Sequence, residues 1–318
     1  MKAMLLGPKG EFIWSDVPNP VCAPGTVVIK VKAAGLNRAD LLQRAGNYPP
    51  PPGWPEWPGL EISGTISESA PGSKWKFGEE VCALLGGGGY AEYAVVPEGM
   101  VMHTPKNIDL LTAAALPEVF ATCFLNLKFE GKLQPGETFF MPAAASGLGT
   151  IAVQMAKAMG AKVIGSAGSQ EKAALIKQLG ADIAIDRKNQ SIKDVLLDNP
   201  PDLVMDCIAG DTMAQLLPTL KRGGRWIIIA TLGGDFANLP MRDVMKGAYR
   251  IIGSTLRSRS NEMKAQILSE LECDIWPMVE NGRIKPIIHT VMPLTEVDKA
   301  YQILADARNA GKVILQVC

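Results

Sequence analysis

Hydrophobic and polar residues follow two different patterns along the chain. In about the first third, short alternating or β-branched runs such as TVVIKVKAAGL, EISGTISESA and AEYAVVP are separated by Gly and Pro turns. Such runs predict the short strands of a compact, twisted β-lobe. From about Leu116, β-branched runs such as TFFMPA and AKVIGS alternate with helical stretches such as GTIAVQMAKAMG. This alternation predicts a parallel sheet wound with helices on both faces.

The end of the chain departs from that alternation. A single helix is predicted over NEMKAQILSELECDIWPMVENG, followed by a strand (IIHTVMPL), a helix (EVDKAYQILADAR) and a last strand (KVILQV). We expect these pieces to return to the β-lobe. The predicted fold class is therefore α/β, with a β-lobe formed by residues 1–117 and 257–318 and a sheet domain of residues 118–256 inserted into it.

A glycine-bearing turn lies between the first strand of the alternating region and its helix, in TFFMPAAASGLG followed by TIAVQMAKAMGA. A dinucleotide pyrophosphate binds at such a turn, because helix N-terminal N–H groups and the helix dipole favour phosphate there. The three fingerprint glycines correspond here to Ala144, Ser146 and Gly149, so the match is degraded. Small residues at this turn also serve close packing of a helix on a strand. The candidate pyrophosphate contacts are Ser146, Gly147, Leu148 and Gly149.

The second strand of this region indicates which dinucleotide is bound. Gly168 follows AKVIGSAG about twenty residues after the turn, where such folds contact the adenosine ribose. No acidic residue stands at that position; Ser169 follows Gly168, Lys172 lies in the next helix, and Arg187 follows the third strand. Hydroxyl and cationic groups suit a 2′-phosphate, so the sequence favours NADPH over NADH. The alternative is that Lys172 and Arg187 are solvated surface charges.

Composition narrows the class of protein. At 318 residues and 47% hydrophobic, the chain is long enough for two cores. Lys plus Arg equals Asp plus Glu at 32 each, which gives no global charge for attracting nucleic acid or an anionic membrane. No signal peptide or membrane-length apolar run is visible, so we expect a cytoplasmic protein. The six cysteines form no CxxC pair and are expected to be single thiols.

The segment YPPPPGWPEWPG, residues 48–59, has an unusual local composition. Consecutive prolines restrict it to an extended path, and Trp54 and Trp57 provide surfaces for packing. It is either a ligand for a proline-reading partner or a rigid wall inside the fold, and its place between ordered elements favours the wall.

Several segments together are specific for one family: LNRADLLQRAGNYPPPPG, AAASGLGT, SAGSQEK, MDCIAG and STLRSR. By these segments the chain resembles the medium-chain dehydrogenase/reductase superfamily over its whole length. Within it, the chain is most similar to the zinc-independent quinone oxidoreductases, in particular to their tumour-suppressor-inducible NADPH-dependent type. The resemblance implies a GroES-like twisted β-lobe plus a Rossmann doubly wound parallel sheet. It also implies a homodimer, with the cofactor between the two lobes.

The resemblance also indicates which positions of this chain correspond to the zinc ligands of related enzymes. Alcohol dehydrogenases of the superfamily have Cys where this chain has Asn37, and a His-Glu pair where it has Leu60 and Glu61. Their structural-zinc lobe is replaced by the short glycine run at residues 86–89. The chain's two histidines have no cysteine at ligand spacing. We therefore expect no metal site.

The resemblance further implies residue roles near the reacting centre. Tyr48 and Asn37 match the residues nearest that centre and are the catalytic candidates, Tyr48 being also a cofactor contact. Thr122 matches a residue close to the nicotinamide ring. Where the family has Tyr, this chain has Arg187, which changes the adenosine contact. The late loop that closes near the nicotinamide corresponds to Leu256, Arg257 and Ser258.

The expected function is NADPH-dependent reduction of a small-molecule quinone without zinc. Two alternatives stay open at this point. Enoyl-thioester reductases share the scaffold and use a Tyr in an equivalent stretch as proton donor, so Tyr48 fits both enzymes. A non-enzymatic NADPH-binding or RNA-binding protein is the other alternative, although interleaved basic and aromatic motifs are absent from the sequence.

Overall fold

The structure is a computed structural model that describes residues 1–317, so the expectation that Cys318 is a single thiol lies outside it. The strands, in chain order, are β1 (Lys2–Leu6), β2 (Phe12–Asp16), β3 (Thr26–Gly35), β4 (Glu61–Ser69), β5 (Glu80–Leu84), β6 (Tyr93–Pro97), β7 (Val101–His103), β8 (Thr138–Met141), β9 (Lys162–Ala167), β10 (Ile183–Asp186), β11 (Leu203–Asp206), β12 (Arg225–Ile228), β13 (Arg250–Gly253), β14 (Ile288–Pro293) and β15 (Lys312–Gln316).

The helices, again in chain order, are α1 (Arg38–Arg44), α2 (Leu110–Ala113), α3 (Pro117–Phe124), α4 (Gly147–Ala158), α5 (Gln170–Gln178), α6 (Ile192–Asp198), α7 (Gly210–Leu216), α8 (Met241–Gly247), α9 (Asn261–Asp274), α10 (Trp276–Glu280) and α11 (Val297–Ala305). A π-helical stretch at Leu125–Glu130 follows α3. Short 3₁₀ turns occupy Glu98–Met100, Leu217–Thr219 and Leu294–Glu296.

Two compact units divide the chain. Unit 1 consists of residues 1–121, 257–282 and 286 onward, and unit 2 consists of residues 122–256 with 283–285. The boundary at residue 121 falls inside α3, so that one helix begins in unit 1 and ends in unit 2.

Unit 2 contains a parallel sheet with the strand order β10-β9-β8-β11-β12-β13. Its strands are runs of buried apolar residues, and Phe140, Ile164 and Val204 belong to one core cluster. The chain runs outward from β8 to β10 and then returns to β11 on the other side of β8. This order confirms the predicted Rossmann doubly wound sheet, and its switch point lies at the carboxyl end of β8.

Unit 1 is built on a twisted, mainly antiparallel sheet in the order β14-β15-β3-β4-β5-β7, with β6 also paired to β3. In β3, Ile29 and Val31 are buried while Lys30 and Lys32 are exposed, as the alternating sequence predicts. The late strand β15 hydrogen-bonds antiparallel to β3, with Ile314 opposite Gly35. The closing segments therefore complete the sheet that the N-terminal segments begin.

The long helix expected after residue 260 is wrong in one respect: it is two helices, α9 and α10, divided at Ile275. Pro277 lies in the first turn of α10 and has no N–H to continue the hydrogen bonds of α9, so the chain breaks just before it. Pro218 has the same effect after α7, because the chain continues beyond Leu216 as a 3₁₀ turn that contains this proline.

The proline-rich segment packs inside unit 1 against the glycine run at residues 86–89. A Cβ on Gly86 would lie 2.7 Å from the Trp54 ring, and one on Gly88 would lie 2.7 Å from Pro55. The indole N–H of Trp57 donates to the Gly88 carbonyl at 2.9 Å. The segment therefore forms a wall against the glycine run, with Pro49, Pro52, Gly53 and Glu56 exposed to solvent. The glycines are needed because the wall leaves no room for side chains.

No helix in residues 1–317 is both long and apolar enough to cross a membrane.

Candidate functional site

The turn after β8 is shaped to bring a helix close to the strand that precedes it. Ser146 is the N-cap of α4, and its hydroxyl accepts the Gly149 N–H at 3.0 Å. A Cβ on Gly149 would lie 2.5 Å from the Ala143 carbonyl oxygen, so only glycine allows this approach. The N–H groups of Gly147 and Leu148 belong to the first turn of α4, which leaves them without intrahelical acceptors. They are the groups that can meet a phosphate.

The corner of unit 2 after β9 brings the predicted ribose-phosphate residues together. The Arg187 guanidinium lies over Gly168, where an added Cβ would be 3.1 Å from its Nη2 atom. Lys172 is partly buried, and both loss of solvation and the neighbouring positive charge of Arg187 lower its pKa. Ser169 caps α5 by accepting the Lys172 N–H at 3.3 Å. The two neighbouring cations at this corner suit an anion.

One acidic residue at this corner was missed by the sequence analysis. Glu171 is exposed, and hydrogen bonds from its own N–H and from the Ser169 hydroxyl lower its pKa. Glu171 lies in the first turn of α5, where a carboxylate is favoured by the helix dipole. The signal was available in the sequence SQEK, which is a serine N-cap followed by an acidic first turn.

In unit 1, Tyr48 and Arg257 are stacked on each other. The Arg257 guanidinium carbon lies 3.8 Å from the centre of the Tyr48 ring, which is a close cation–π contact. Its Nη1 atom donates to the carbonyl oxygens of Tyr48 at 3.1 Å and Pro49 at 3.0 Å, and Nη2 donates to that of Gly86 at 3.0 Å. Burial raises the pKa of the Tyr48 phenol, while the charge of Arg257 opposes that rise. Arg257 therefore fixes both the Tyr48 ring and the start of the proline wall.

Asn37 lies in a buried polar network with a lysine that was not singled out from the sequence. The Lys312 ammonium donates to Asn37 Oδ1 at 2.8 Å, to Glu61 Oε1 at 2.5 Å and to the Leu36 carbonyl at 2.8 Å. The Asn37 amide nitrogen donates to Glu61 Oε1 at 2.9 Å. Both side chains of the ion pair are almost entirely buried, at 5% and 0% exposure. The orientation of the Asn37 amide is therefore set from both of its ends.

Two further carboxyl groups adjoin this network. Glu61 Oε2 accepts the backbone N–H of Glu118 at 2.8 Å, which places the start of α3 against Glu61. Loss of solvation and the negative charge of Glu61 raise the pKa of Glu118 to about 7. Asp40 accepts the Asn37 N–H at 2.8 Å and the Tyr90 hydroxyl at 3.0 Å, and burial raises its pKa to about 6. Neither carboxyl was predicted as a site residue. Asp40 was readable from the sequence as the capping-box partner of Asn37 three residues earlier, whereas only the fold brings Glu118 to Glu61.

Comparison with known proteins gives the family. The chain matches the zinc-binding dehydrogenase family over residues 147–272 and the alcohol dehydrogenase GroES-like domain over residues 23–106. It is 32% identical over 316 residues to the quinone oxidoreductase of Rattus norvegicus, covering 97% of this chain and 94% of that protein. The chain belongs to the quinone oxidoreductases of the medium-chain dehydrogenase/reductase superfamily. The expected family is thereby confirmed.

Solved structures agree with this membership. The quinone oxidoreductase of Thermus thermophilus, solved also as a complex with NADPH, is 31% identical, with a TM-score of 0.85 over 99% of this chain and 100% of that one. An NAD-dependent alcohol dehydrogenase is 28% identical, with a TM-score of 0.88 and full coverage of both chains. The chain thus shares a fold with an NAD-dependent enzyme and with an enzyme solved as a complex with NADPH.

The remaining predicted site residues, Thr122, Leu256 and Ser258, differ in their exposure. Thr122 is partly buried in α3, and its carbonyl accepts the Asn126 amide at 2.7 Å. Leu256 is buried at the end of unit 2, and Ser258 is exposed in unit 1. Within residues 1–317, no three His, Cys, Asp or Glu side chains are grouped so that they could hold a metal ion.

Proposed function

We propose that this chain is an NADPH-dependent, zinc-independent quinone reductase. The observation that carries the cofactor choice is the pairing of Lys172 and Arg187 beside Gly168, which leaves a cationic corner where a 2′-phosphate would bind. The fit extends to the turn after β8, where Gly149 has no space for a Cβ and the first turn of α4 offers free N–H groups. When bound, NADPH supplies the hydride.

The acceptor site proposed in unit 1 is lined by Tyr48 and Asn37. Reduction of a quinone yields an aromatic hydroquinone oxyanion that is already well stabilised, so less electrophilic assistance is needed than for an alcohol or ketone. The rigid placement of Tyr48 by Arg257, and of Asn37 by Lys312, suits a site that acts mainly by holding its acceptor in one orientation.

A substrate panel tests the reaction directly. NADPH oxidation is followed with ortho-quinones, para-quinones and enoyl-thioesters, and without an acceptor. We expect quinone-dependent turnover that is unchanged by a chelator. Turnover with enoyl-thioesters in preference to quinones would replace this function with enoyl-thioester reduction, and activity that needs added zinc would show that a metal site had been missed.

The cofactor choice is tested by Lys172→Ala. Loss of a charge-assisted hydrogen bond to the 2′-phosphate should weaken NADPH by about 1–3 kcal/mol while leaving NADH nearly unchanged. Dissociation constants for both cofactors, measured by fluorescence titration, give the result. Lys193→Ala on α6, an exposed residue of the same unit, removes the same charge elsewhere and is the control. If the unmodified protein binds NADH more tightly than NADPH, the proposed cofactor is wrong.

We also propose that the enzyme is a homodimer formed through β13. This strand is the edge of the unit 2 sheet, so one side of its backbone has no partner strand among residues 1–317. Ile251 on the strand is 39% exposed, and Met241, Met245 and Phe236 in the preceding segment are 69%, 77% and 91% exposed. An unpaired edge beside an apolar surface is typical of an interface with a second copy.

A further inference from the structure

A quinone needs a proton as well as a hydride, and the structure contains several ionisable groups near Tyr48 that could be its source. They differ in how far each is exposed to solvent. Glu61 is fully buried, and its two oxygens accept hydrogen bonds from Lys312, Asn37 and the Glu118 N–H. Asp40, in the first turn of α1, is fully buried as well and accepts hydrogen bonds from the Tyr90 hydroxyl and the Asn37 N–H. Neither carboxyl is exposed to solvent.

Glu118 differs from both, because it is only partly buried and lies in the first turn of α3. Its carboxyl interacts electrostatically with the Tyr48 phenol, with Arg257 and with Lys264 on α9. Lys264 in turn donates to the Arg257 carbonyl oxygen at 2.9 Å, so these groups form one cluster. Tyr48 and Arg257 are also only partly buried, which leaves the cluster accessible to a small molecule.

We propose that the Glu118 carboxyl is the acid that delivers the proton to the reduced acceptor, an inference that rests on the proposed quinone reduction. Bound NADPH would supply the hydride with its electron pair, which would convert the quinone into a hydroquinone oxyanion. The O–H bond of Glu118 breaks, a new O–H bond forms on the hydroquinone oxyanion, and the resulting carboxylate regains a proton from water.

The surroundings of Glu118 favour this role at neutral pH. Loss of solvation and the negative charges of Glu61 and Asp40 favour the protonated form of Glu118. The positive charges of Lys312 and Arg257 favour the carboxylate, and the resulting pKa is about 7. A general acid is most effective when its pKa is near the working pH. The Tyr48 phenol is a weaker acid there, because burial raises its pKa above the usual value of 10.0. Glu118 is thus the donor and Tyr48 orients the acceptor.

The first test measures the proton on Glu118 without any turnover. Infrared titration of the cofactor-free protein labelled with ¹³C-glutamate separates glutamate carboxyls from the Asp40 carboxyl. We expect one glutamate COOH band that disappears as pH rises through about 7 and that is absent from Glu118→Gln. Asp40→Asn should leave this band in place. A band that survives in Glu118→Gln, or a wild-type protein with no such band, overturns the proposal.

The second test compares the pH dependence of kcat for quinone reduction in the unmodified enzyme, Glu118→Gln and Glu68→Gln. Glu118 donates only when protonated, so kcat of the unmodified enzyme should be constant below pH 7 and should fall above it. Glu118→Gln should lower the low-pH plateau by about 10²-fold and remove the break. Glu68, an exposed residue of β4, is the matched control and should behave as the unmodified enzyme.

A purely structural role for Glu118 gives a different result from proton donation. It would lower kcat equally at every pH and keep the break, and that outcome overturns the proposal. Absence of quinone turnover in the unmodified enzyme overturns the proposed function instead, and the infrared titration distinguishes this case because it requires neither cofactor nor acceptor.

Discussion

At the scale of single residues, the Lys312–Glu61 pair places two ionised side chains in the interior of unit 1, at 5% and 0% exposure. Both ions have left water, and the ammonium compensates by donating three hydrogen bonds, to Glu61, Asn37 and the Leu36 carbonyl. Such a pair adds little net stability by itself, but removal of one partner leaves the other charged and buried. We infer that the pair instead fixes the positions of the Asn37 side chain and the Glu118 backbone, both of which donate hydrogen bonds to Glu61.

Lys312→Met should therefore lower the free energy of unfolding by about 3–5 kcal/mol, because Glu61 is left without a counter-charge. The measurement is urea unfolding at pH 7. Adding Glu61→Gln to Lys312→Met should recover part of the loss. Lys221→Met is the control: it breaks a more exposed pair with Asp202 and should cost about 1 kcal/mol or less. Equal losses from both single variants would contradict this account.

At the scale of elements, the position of α4 against β8 depends on one glycine. The Gly149 Cα faces Ala143 and Ala144 so closely that a Cβ would lie 2.6 Å from the Ala144 Cα, which is backbone and cannot move aside cheaply. Ser146 then holds the first turn of α4 through its N-cap hydrogen bond. Of the three fingerprint positions, Gly149 is therefore still the glycine that close packing needs, and Ser146 stands in place of a second glycine as the N-cap of α4.

Gly149→Ala should destabilise unit 2 by about 1–3 kcal/mol through overpacking, and it should weaken NADPH because the N-terminus of α4 is pushed away from the strand. Thermal unfolding and cofactor titration measure the two effects. Unchanged unfolding and unchanged NADPH binding in Gly149→Ala would refute the packing argument.

At the scale of the whole molecule, the proposed dimer edge is open to a direct test. Ile251→Lys places a charge on the exposed edge of β13 and should shift the protein from dimer to monomer, because edge strands with lysine resist pairing. Sedimentation velocity at micromolar concentration measures the state. Ile13→Lys on β2, a 43% exposed isoleucine in unit 1, should leave the dimer intact. A monomeric unmodified protein would disprove the proposed interface.

The sequence by itself determined the features that depend on local pattern. Alternation in β3 and the buried runs of β8, β9 and β11 gave the two sheets, because side-chain burial follows the period of each element. The turn after β8 was identified because its residues are contiguous in the chain. The break at Ile275 was readable from Pro277, because proline cannot continue the hydrogen bonds of the preceding helix.

Only the tertiary structure decided which distant residues share one environment. Lys312 lies 251 residues from Glu61 along the chain, and the two meet because β15 pairs with β3, and β3 with β4. The residues next to Lys312 and Glu118 in the sequence do not indicate that Lys312 is a buried charge or that Glu118 has a pKa of about 7. Both properties arise from burial and from neighbouring charges, which exist only once the sheet has formed.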